Sequence, residues 1–211
     1  MNINPTQKRI VTVVAGLLHA EDALPLAEAL LAGGLNVMEI TFRTAAAEPA
    51  VRLVARNLPQ MILGAGTLLT SEQVQRAKDA GAQFGVAPGL NLEVVKTAQR
   101  LNLLFVPGVM TPSEIEAAMG AGCKLLKFFP ANIAGGVGML KALAGPYGPA
   151  GVKFIVLGGV TQATMREFLN LPMVAAVGGS WLVDSALIAK RDWPAITSRT
   201  KEALAIAGLK P

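Results

Sequence analysis

The chain has 211 residues, of which 52% are hydrophobic and 16% are charged, and its net charge is +5 at pH 7. This composition excludes a disordered chain and fits one domain spanning residues 1–211. The basic residues are scattered and do not alternate with aromatic ones, so we expect neither nucleic acid nor a membrane as a partner, and a mild positive potential suits a small anionic substrate.

Short apolar runs rich in β-branched residues alternate with longer amphipathic runs along the chain, a pattern typical of repeated βα units. We predict eight strands, at Ile10–Leu18, Leu35–Thr41, Met61–Gly66, Gln83–Ala87, Leu103–Pro107, Lys124–Phe129, Lys153–Gly158 and Met173–Gly178. Helices are predicted between them, at Ala20–Ala32, Ala45–Asn57, Ser71–Ala80, Leu92–Arg100, Pro112–Gly120, Val137–Ala144 and Gln162–Leu169. A last helical stretch covers Asp184–Ala207, with a break expected at Pro194.

Two helix starts carry clear capping signals. Thr70 and Thr111 each stand directly before a predicted helix, with acids in the first turn and Pro112 at one of the starts. Hydroxyl side chains accept hydrogen bonds from the free N–H groups of a first helical turn, so both residues are predicted N-caps.

The first apolar run follows a short basic stretch at the N-terminus, as the core of a signal peptide would. It is rich in β-branched residues and is not followed by a small-residue cleavage site, so a first strand explains it better and we expect a cytoplasmic protein. Every apolar stretch of about 18 residues is interrupted by Gly, Pro or charge, which argues against a transmembrane helix.

Eight βα units in about 210 residues favour a parallel sheet closed into a (β/α)8 TIM barrel, an α/β fold. An open doubly wound sheet is the alternative. No G-x-G-x-x-G motif opens the first helix, which weakens a dinucleotide-binding interpretation. The active site of a barrel lies at the carboxyl ends of its strands, so polar residues that interrupt the apolar pattern there are candidate site residues.

The second strand carries such residues. Alternation predicts that Glu39, Thr41 and Arg43 point into the barrel, while Met38 and Ile40 pack under the helices. Buried polar groups are unfavourable unless they bind one another or a ligand, so the set indicates either a structural Glu39–Arg43 ion pair or a ligand site.

In the sixth predicted strand, Lys127 is in phase with Leu125 and Phe129, near the carboxyl end. If this face points inward, burial disfavours the ammonium form and lowers the lysine pKa, and Arg43 nearby lowers it further. Such a lysine is an amine nucleophile toward a carbonyl carbon. A buried ion pair with Glu39 is the structural alternative.

Glycine turns end three strands. Gly158-Gly159 and Gly178-Gly179-Ser180 follow the last two strands, where barrels of this kind bind phosphate through backbone N–H groups. Gly64-Ala65-Gly66-Thr67 ends the third strand and allows close backbone approach to a ligand, or simply forms a tight turn. The chain contains one cysteine, Cys123, and one histidine, His19, which predicts no metal centre.

A set of motifs in this order resembles the class I 2-keto-3-deoxy-6-phosphogluconate / 4-hydroxy-2-oxoglutarate aldolases, over about residues 8 to 205. The motifs are Glu39-Ile40-Thr41-Phe42-Arg43-Thr44, Gly64-Ala65-Gly66-Thr67, Ala87-Pro88-Gly89, Pro107-Gly108-Val109, Lys127-Phe128-Phe129-Pro130, Gly158-Gly159 and Gly178-Gly179-Ser180-Trp181.

The resemblance implies a TIM barrel that is trimeric and needs neither a metal nor another cofactor. It implies a small-molecule 2-keto acid as substrate, with Lys127 as the Schiff-base lysine and Glu39 as the general acid and base. It further implies a pyruvyl carboxylate site at Arg43 and Thr67, pocket walls at Pro88 and Phe129, and a phosphate site at Gly158, Gly159, Gly179 and Ser180.

One position departs from the family pattern. The usual end of the seventh strand is Pro-Thr-Gly-Gly, whereas this chain has Val156-Leu157-Gly158-Gly159. Leu157 cannot donate the hydrogen bond that a threonine would offer to a substrate hydroxyl. The 2-keto-3-deoxy-6-phosphogalactonate branch of the family resembles this chain in having an apolar residue there, so phosphogluconate and phosphogalactonate both remain candidate substrates.

Two other functions stay open at the level of sequence. A phosphate-binding barrel isomerase or epimerase that never forms an imine would carry a similar phosphate site. A catalytically silent binding protein on the same barrel is the other alternative, and the set of Glu39, Arg43 and Lys127 argues against it.

Overall fold

The computed structural model describes residues 9–14 and 16–209. Within them, nine parallel strands form one sheet: β1 (Arg9–Val14), β2 (Val37–Thr41), β3 (Ile62–Gly66), β4 (Phe84–Val86), β5 (Leu104–Val106), β6 (Gly108–Val109), β7 (Leu125–Phe128), β8 (Lys153–Val156) and β9 (Val174–Gly179). The helices of the same residues are α1 (Ala23–Ala32), α2 (Ala47–Asn57), α3 (Ser71–Asp79), α4 (Leu92–Arg100), α5 (Pro112–Gly120), α6 (Gly136–Tyr147), α7 (Met165–Leu169), α8 (Ser185–Ala189) and α9 (Trp193–Ala207).

The sheet closes at Pro107. Its strand order is β5-β4-β3-β2-β1-β9-β8-β7-β6, so the two edges, β5 and β6, are joined by this single residue. Proline has no N–H to give to a sheet ladder, and the pairing changes side here: β5 pairs with β4, and β6 pairs with β7. The two segments therefore act as one barrel strand, and the predicted TIM barrel is confirmed.

Two apolar layers enclose the strands. The inner one fills the barrel with aliphatic side chains and one aromatic ring: Val11, Val13, Val37, Phe84, Val86, Val106, Ile155, Leu157 and Ala176. The outer one packs the strands under the helices, with the rings of Phe128 and Phe154 in edge contact at 6.0 Å between centroids. A strand that is buried on both faces needs apolar residues at nearly every position, which explains the short apolar runs in the sequence.

Several predicted boundaries were wrong for local reasons. The first strand does not reach Leu18, because the chain turns at Gly16 with a φ of 72°, and Ala15 of that prediction lies outside the described residues. The first helix is preceded by a separate 3-10 turn at Ala20–Asp22. The sixth helix is longer than predicted, and the seventh begins only at Met165 because residues 162–164 form a turn.

The last helical stretch breaks ahead of Pro194 rather than at it. The chain leaves helical geometry between α8 and α9, where Arg191 has a φ of 53°. Asp192 then caps α9 by accepting a hydrogen bond from the N–H of Ala195, and Pro194 lies in the first turn. Proline is well tolerated at that position because the first N–H groups of a helix have no partner inside it.

Both predicted caps are confirmed. Thr70 and Thr111 each accept a hydrogen bond from the backbone N–H of the third residue of the following helix, and the side chains of Gln73 and Glu114 each accept one from the backbone N–H of the cap residue. These capping boxes fix the starts of α3 and α5 close to the carboxyl ends of the strands. In the part of the chain that the structure describes, the helices lack the combination of length and apolar character needed to cross a bilayer.

Candidate active site

The alternation predicted for β2 is confirmed. Met38 and Ile40 lie in the outer apolar layer, and Val37 lies in the inner one. Glu39 is in phase with Val37 and is only 1% exposed, so its carboxyl group lies inside the barrel.

Glycines of β3 make room for this carboxyl group. A Cβ atom at Gly66 would lie 1.8 Å from Glu39 Oε1, and one at Gly64 would lie 2.2 Å from the ring of Phe84. The sequence suggested that these glycines let the backbone approach a ligand, whereas the structure fills the space beside them with protein side chains. Glu39 Oε1 is buried and has no hydrogen-bond partner among the described residues, which leaves it able to accept one from a ligand.

Lys127 also points inward. Leu126 and Phe128 belong to the outer layer, while Leu125 and Phe129 pack on the inner one, as predicted. Lys127 is 5% exposed, and its Nζ lies 4.9 Å from the centre of the Phe129 ring. Its backbone N–H donates to the carbonyl of Pro107 at 2.8 Å, which ties β7 to the junction that closes the barrel.

The two buried groups have pKa values shifted toward their neutral forms. Burial lowers the pKa of Lys127, the charge of Glu39 opposes this, and Arg43 adds to it. Burial likewise raises the pKa of Glu39, although the charges of Lys127 and Arg43 act in the other direction. Desolvation thus outweighs the attraction between the two, and the amine has a larger neutral fraction than an ordinary lysine.

Arg43 and Thr67 lie at the carboxyl ends of β2 and β3. Arg43 Nε donates a hydrogen bond of 3.3 Å to Thr67 Oγ1, and the arginine side chain is exposed. Thr67 has a φ of 57°, an unfavourable conformation for a β-branched residue. This strained residue keeps a hydroxyl group next to a guanidinium group, a pairing that suits a carboxylate ligand.

Thr41, the third inward polar residue of β2, has a structural partner. Its Oγ1 donates to the carbonyl of Val14 at 3.2 Å and accepts from the N–H of Gly16 at 3.3 Å. It therefore holds the turn after β1 in place, and the hydroxyl group is satisfied without a ligand.

Close packing surrounds the strand ends at the predicted wall residues Pro88 and Phe129. The carbonyl oxygen of Pro88 would lie 2.1 Å from a Cβ at Gly108, and the ring of Phe129 would lie 3.0 Å from one at Gly158. Leu157 is buried among the inner-layer residues and lies against Gly178. The predicted wall residues therefore meet the strand ends around the barrel mouth.

The two glycine turns follow β8 and β9, which are neighbours in the sheet. Gly158 and Gly159 have φ values of 92° and 80°, a conformation that favours glycine. Among residues 9–14 and 16–209, no acceptor pairs with the backbone N–H of Gly159 or of Ser180. Adjacent unpaired N–H groups at strand ends are suited to bind an anion.

Asn132 is a polar residue beside the strand ends that the sequence motifs do not single out. This residue follows Lys127 by five positions in the loop between β7 and α6, and its side chain lies against Gly159. The signal that could have found it is a polar residue directly after the apolar end of β7.

In the described part of the chain, no three His, Cys, Asp or Glu side chains come together as metal ligands would.

The fold and the buried lysine–carboxyl pair define a TIM barrel of the aldolase class. A model of the KDPG and KHG aldolases matches residues 3–199, and the chain belongs to this family. A 2-dehydro-3-deoxy-phosphogluconate aldolase of Haemophilus influenzae is 46% identical over 94% of this chain and 92% of the relative. A KHG/KDPG aldolase of Escherichia coli strain K12 is 42% identical, over 92% of this chain and 89% of its own.

Solved structures agree with this assignment. The KDPG aldolase of Legionella pneumophila superposes with a TM-score of 0.90 and 39% identity, covering 94% of this chain and 95% of that one. That structure holds pyruvate as a covalent carbinolamine intermediate.

Proposed function

We propose that this protein is a class I aldolase that cleaves a 2-keto-3-deoxy-6-phospho sugar acid of the phosphogluconate type, or 4-hydroxy-2-oxoglutarate, through an imine on Lys127. The single observation that carries the proposal is the burial of Lys127 together with Glu39, with both pKa values shifted toward the neutral forms. The family membership and the covalent pyruvate adduct of the Legionella relative support it.

In the proposed reaction, the neutral amine of Lys127 attacks the C2 ketone and loses water to form an iminium ion. Glu39 removes the proton of the C4 hydroxyl group, directly or through a water molecule. The C3–C4 bond then breaks, its electron pair is delocalised into the iminium as an enamine, and the aldehyde leaves. Glu39 returns the proton to C3, and hydrolysis of the imine releases pyruvate. The other product is glyceraldehyde 3-phosphate or glyoxylate.

The remaining residues bind the substrate in this proposal. Arg43 and Thr67 hold the pyruvyl carboxylate, as their mutual hydrogen bond suggests. Pro88 and Phe129 form the walls. The turns at Gly158, Gly159, Gly179 and Ser180 bind the phosphate through backbone N–H groups, and this distant contact supplies binding energy for orientation.

Borohydride reduction in the presence of pyruvate tests the covalent step. Mass spectrometry should find one reduced pyruvyl adduct, and peptide mapping should place it on Lys127. Lys127→Ala should lose both trapping and cleavage, while Glu39→Gln should lose cleavage and keep trapping. Lys124→Ala is the matched control, because Lys124 is exposed just before the same strand. An adduct on another lysine, or none in wild type, contradicts the proposal.

The preferred sugar acid depends on Leu157. Its buried, apolar side chain lies where a threonine would offer a hydroxyl group, which keeps the phosphogalactonate epimer as a candidate substrate. The ratio of kcat/KM for the two epimers in wild type and in Leu157→Thr compares them within one preparation. One added hydrogen bond should change that ratio about tenfold. An unchanged ratio would remove Leu157 from the account of specificity.

We also propose a metal-free homotrimer. The support for assembly is a set of exposed apolar side chains that follow β3, β4, β6 and β7: Leu69, Met110 and Ile133 in loops, and Leu92 at the start of α4. Burial of such side chains is a common reason for subunits to associate. Sedimentation should give three times the chain mass, and Ile133→Asp with Met110→Asp should reduce it. Full activity after dialysis against EDTA tests the absence of a metal requirement.

A further inference from the structure

The loop after β7 is joined to the turn after β8 at its base. The N–H of Ala131 donates to the carbonyl of Leu157 at 2.8 Å, and the N–H of Asn132 donates to the carbonyl of Gly158 at 2.9 Å. These two bonds extend the pairing of β7 with β8 beyond the strands. The backbone of Asn132 is therefore fixed relative to the glycine turn.

The side chain of Asn132 occupies the space that a side chain at Gly159 would need. A Cβ at Gly159 would lie 2.5 Å from Asn132 Cβ and 3.3 Å from Asn132 Nδ2. No described residue forms a hydrogen bond with this side-chain amide, and the residue is exposed. An amide NH₂ group with two donors thus lies directly against the turn whose own N–H is unpaired.

We propose that Asn132 is a substrate-binding residue whose side-chain amide donates a hydrogen bond to the terminal phosphate of the sugar acid. The inference rests on the proposed function and adds a side-chain donor to a phosphate site built otherwise from backbone N–H groups. A neutral donor next to main-chain donors binds a phosphate dianion well, whereas a carboxylate at this position repels it.

The test compares the phosphorylated sugar acid with the same sugar acid without phosphate. Asn132→Asp keeps the shape of the side chain and its packing on Gly159, but it places a negative charge beside the phosphate. We expect KM for the phosphorylated substrate to rise at least tenfold, with less than a threefold change for the unphosphorylated one. Asn132→Ala should raise the first KM by about tenfold through loss of a charge-assisted hydrogen bond.

Asn170→Asp is the control, because Asn170 is an exposed residue that directly follows α7 at the opposite end of the barrel. It adds the same charge and should leave both KM values unchanged. Inorganic phosphate should also inhibit Asn132→Asp more weakly than wild type.

Equal losses on both substrates, or no loss on either, would overturn the assignment of Asn132. Pyruvate trapping by borohydride should remain at the wild-type level in every Asn132 variant. If wild type itself fails to trap pyruvate, the proposed function fails first, so the two failures are distinguishable.

Discussion

Gly66→Ala is the sharpest perturbation of the site, because it adds one methyl group beside the Glu39 carboxyl. The new Cβ would lie 1.8 Å from Oε1, 2.6 Å from Cδ and 2.8 Å from Cγ of Glu39. Non-bonded heavy atoms rest at about 3.5 Å, so the carboxyl group must move by more than about 1 Å. Because Glu39 is buried, its carboxyl group cannot move into solvent and must displace neighbouring protein atoms.

A misplacement of about 1 Å in a catalytic group lowers the rate by about 100-fold, and overpacking of a buried site lowers the free energy of unfolding by about 1–3 kcal/mol. We therefore expect kcat for cleavage to fall by about two orders of magnitude in Gly66→Ala. Pyruvate trapping should continue, because Lys127 is not displaced. Steady-state cleavage assays, borohydride trapping and urea unfolding give the three quantities.

Gly33→Ala is the matched control. A Cβ there would lie 2.5 Å from Thr200 Cβ, an equally buried contact between α1 and α9 and remote from Glu39. It should lower stability to a similar extent and leave kcat unchanged at temperatures where the protein is folded. The assignment of Glu39 to the proton transfer would be refuted by either of two results. One is a wild-type kcat for cleavage in Gly66→Ala, and the other is an equal loss of kcat in Gly33→Ala.

Three further outcomes follow from the same structure. The rate of pyruvate trapping should rise with pH and level off below the ordinary lysine pKa of 10.5, because burial lowers the pKa of Lys127; a midpoint at the ordinary value contradicts this. The free energy of unfolding should be about 1 kcal/mol larger for Thr67→Gly than for Thr67→Ala, because glycine adopts the positive φ of this position without strain. Equal urea midpoints for the two variants would exclude backbone strain at residue 67. Arg191→Met should reduce that free energy by about 1.5–3 kcal/mol, because it removes the 2.9 Å ion pair from buried Asp22; an unchanged urea midpoint argues that water replaces the arginine.

The inward faces of β2 and β7 could be predicted from sequence because strand alternation is a local property. Glu39 and Lys127 are in phase with apolar neighbours that the barrel must bury, so their direction follows once the fold is known. The capping residues Thr70 and Thr111 were equally predictable, since a capping box lies within four consecutive residues.

Contacts between strands could not be predicted in this way. The carboxyl of Glu39 lies over Gly66 because β2 and β3 pair with Thr41 opposite Gly66, a register set by the closed barrel. The position of Asn132 against Gly159 depends similarly on the pairing of two loops. Both belong to sheet geometry that a single strand does not encode.

The opposing pKa shifts of Lys127 and Glu39 imply that the site lowers the stability of the fold at neutral pH. The pKa of Lys127 is lower in the folded state than in the unfolded state. Such a lysine contributes stability at pH values above its unfolded pKa, and this stability is lost as the pH falls through its folded pKa. The pKa of Glu39 is higher in the folded state than in the unfolded state. Such a carboxyl group contributes stability at pH values below its unfolded pKa, and this stability is lost as the pH rises through its folded pKa. Both shifts already include the attraction between the two groups, so a net penalty remains near pH 7.

Replacing both groups by neutral ones of similar volume should therefore stabilise the protein while abolishing activity. Lys127→Met combined with Glu39→Gln should raise the free energy of unfolding at pH 7 by about 1–4 kcal/mol, the range seen when buried ion pairs are replaced. Either single change should lower it, because each leaves one buried ionisable group without its partner. Urea unfolding at pH 7 measures the effect. A double variant less stable than wild type would mean that the pair stabilises the barrel, which is the structural role that competes with catalysis for these two residues.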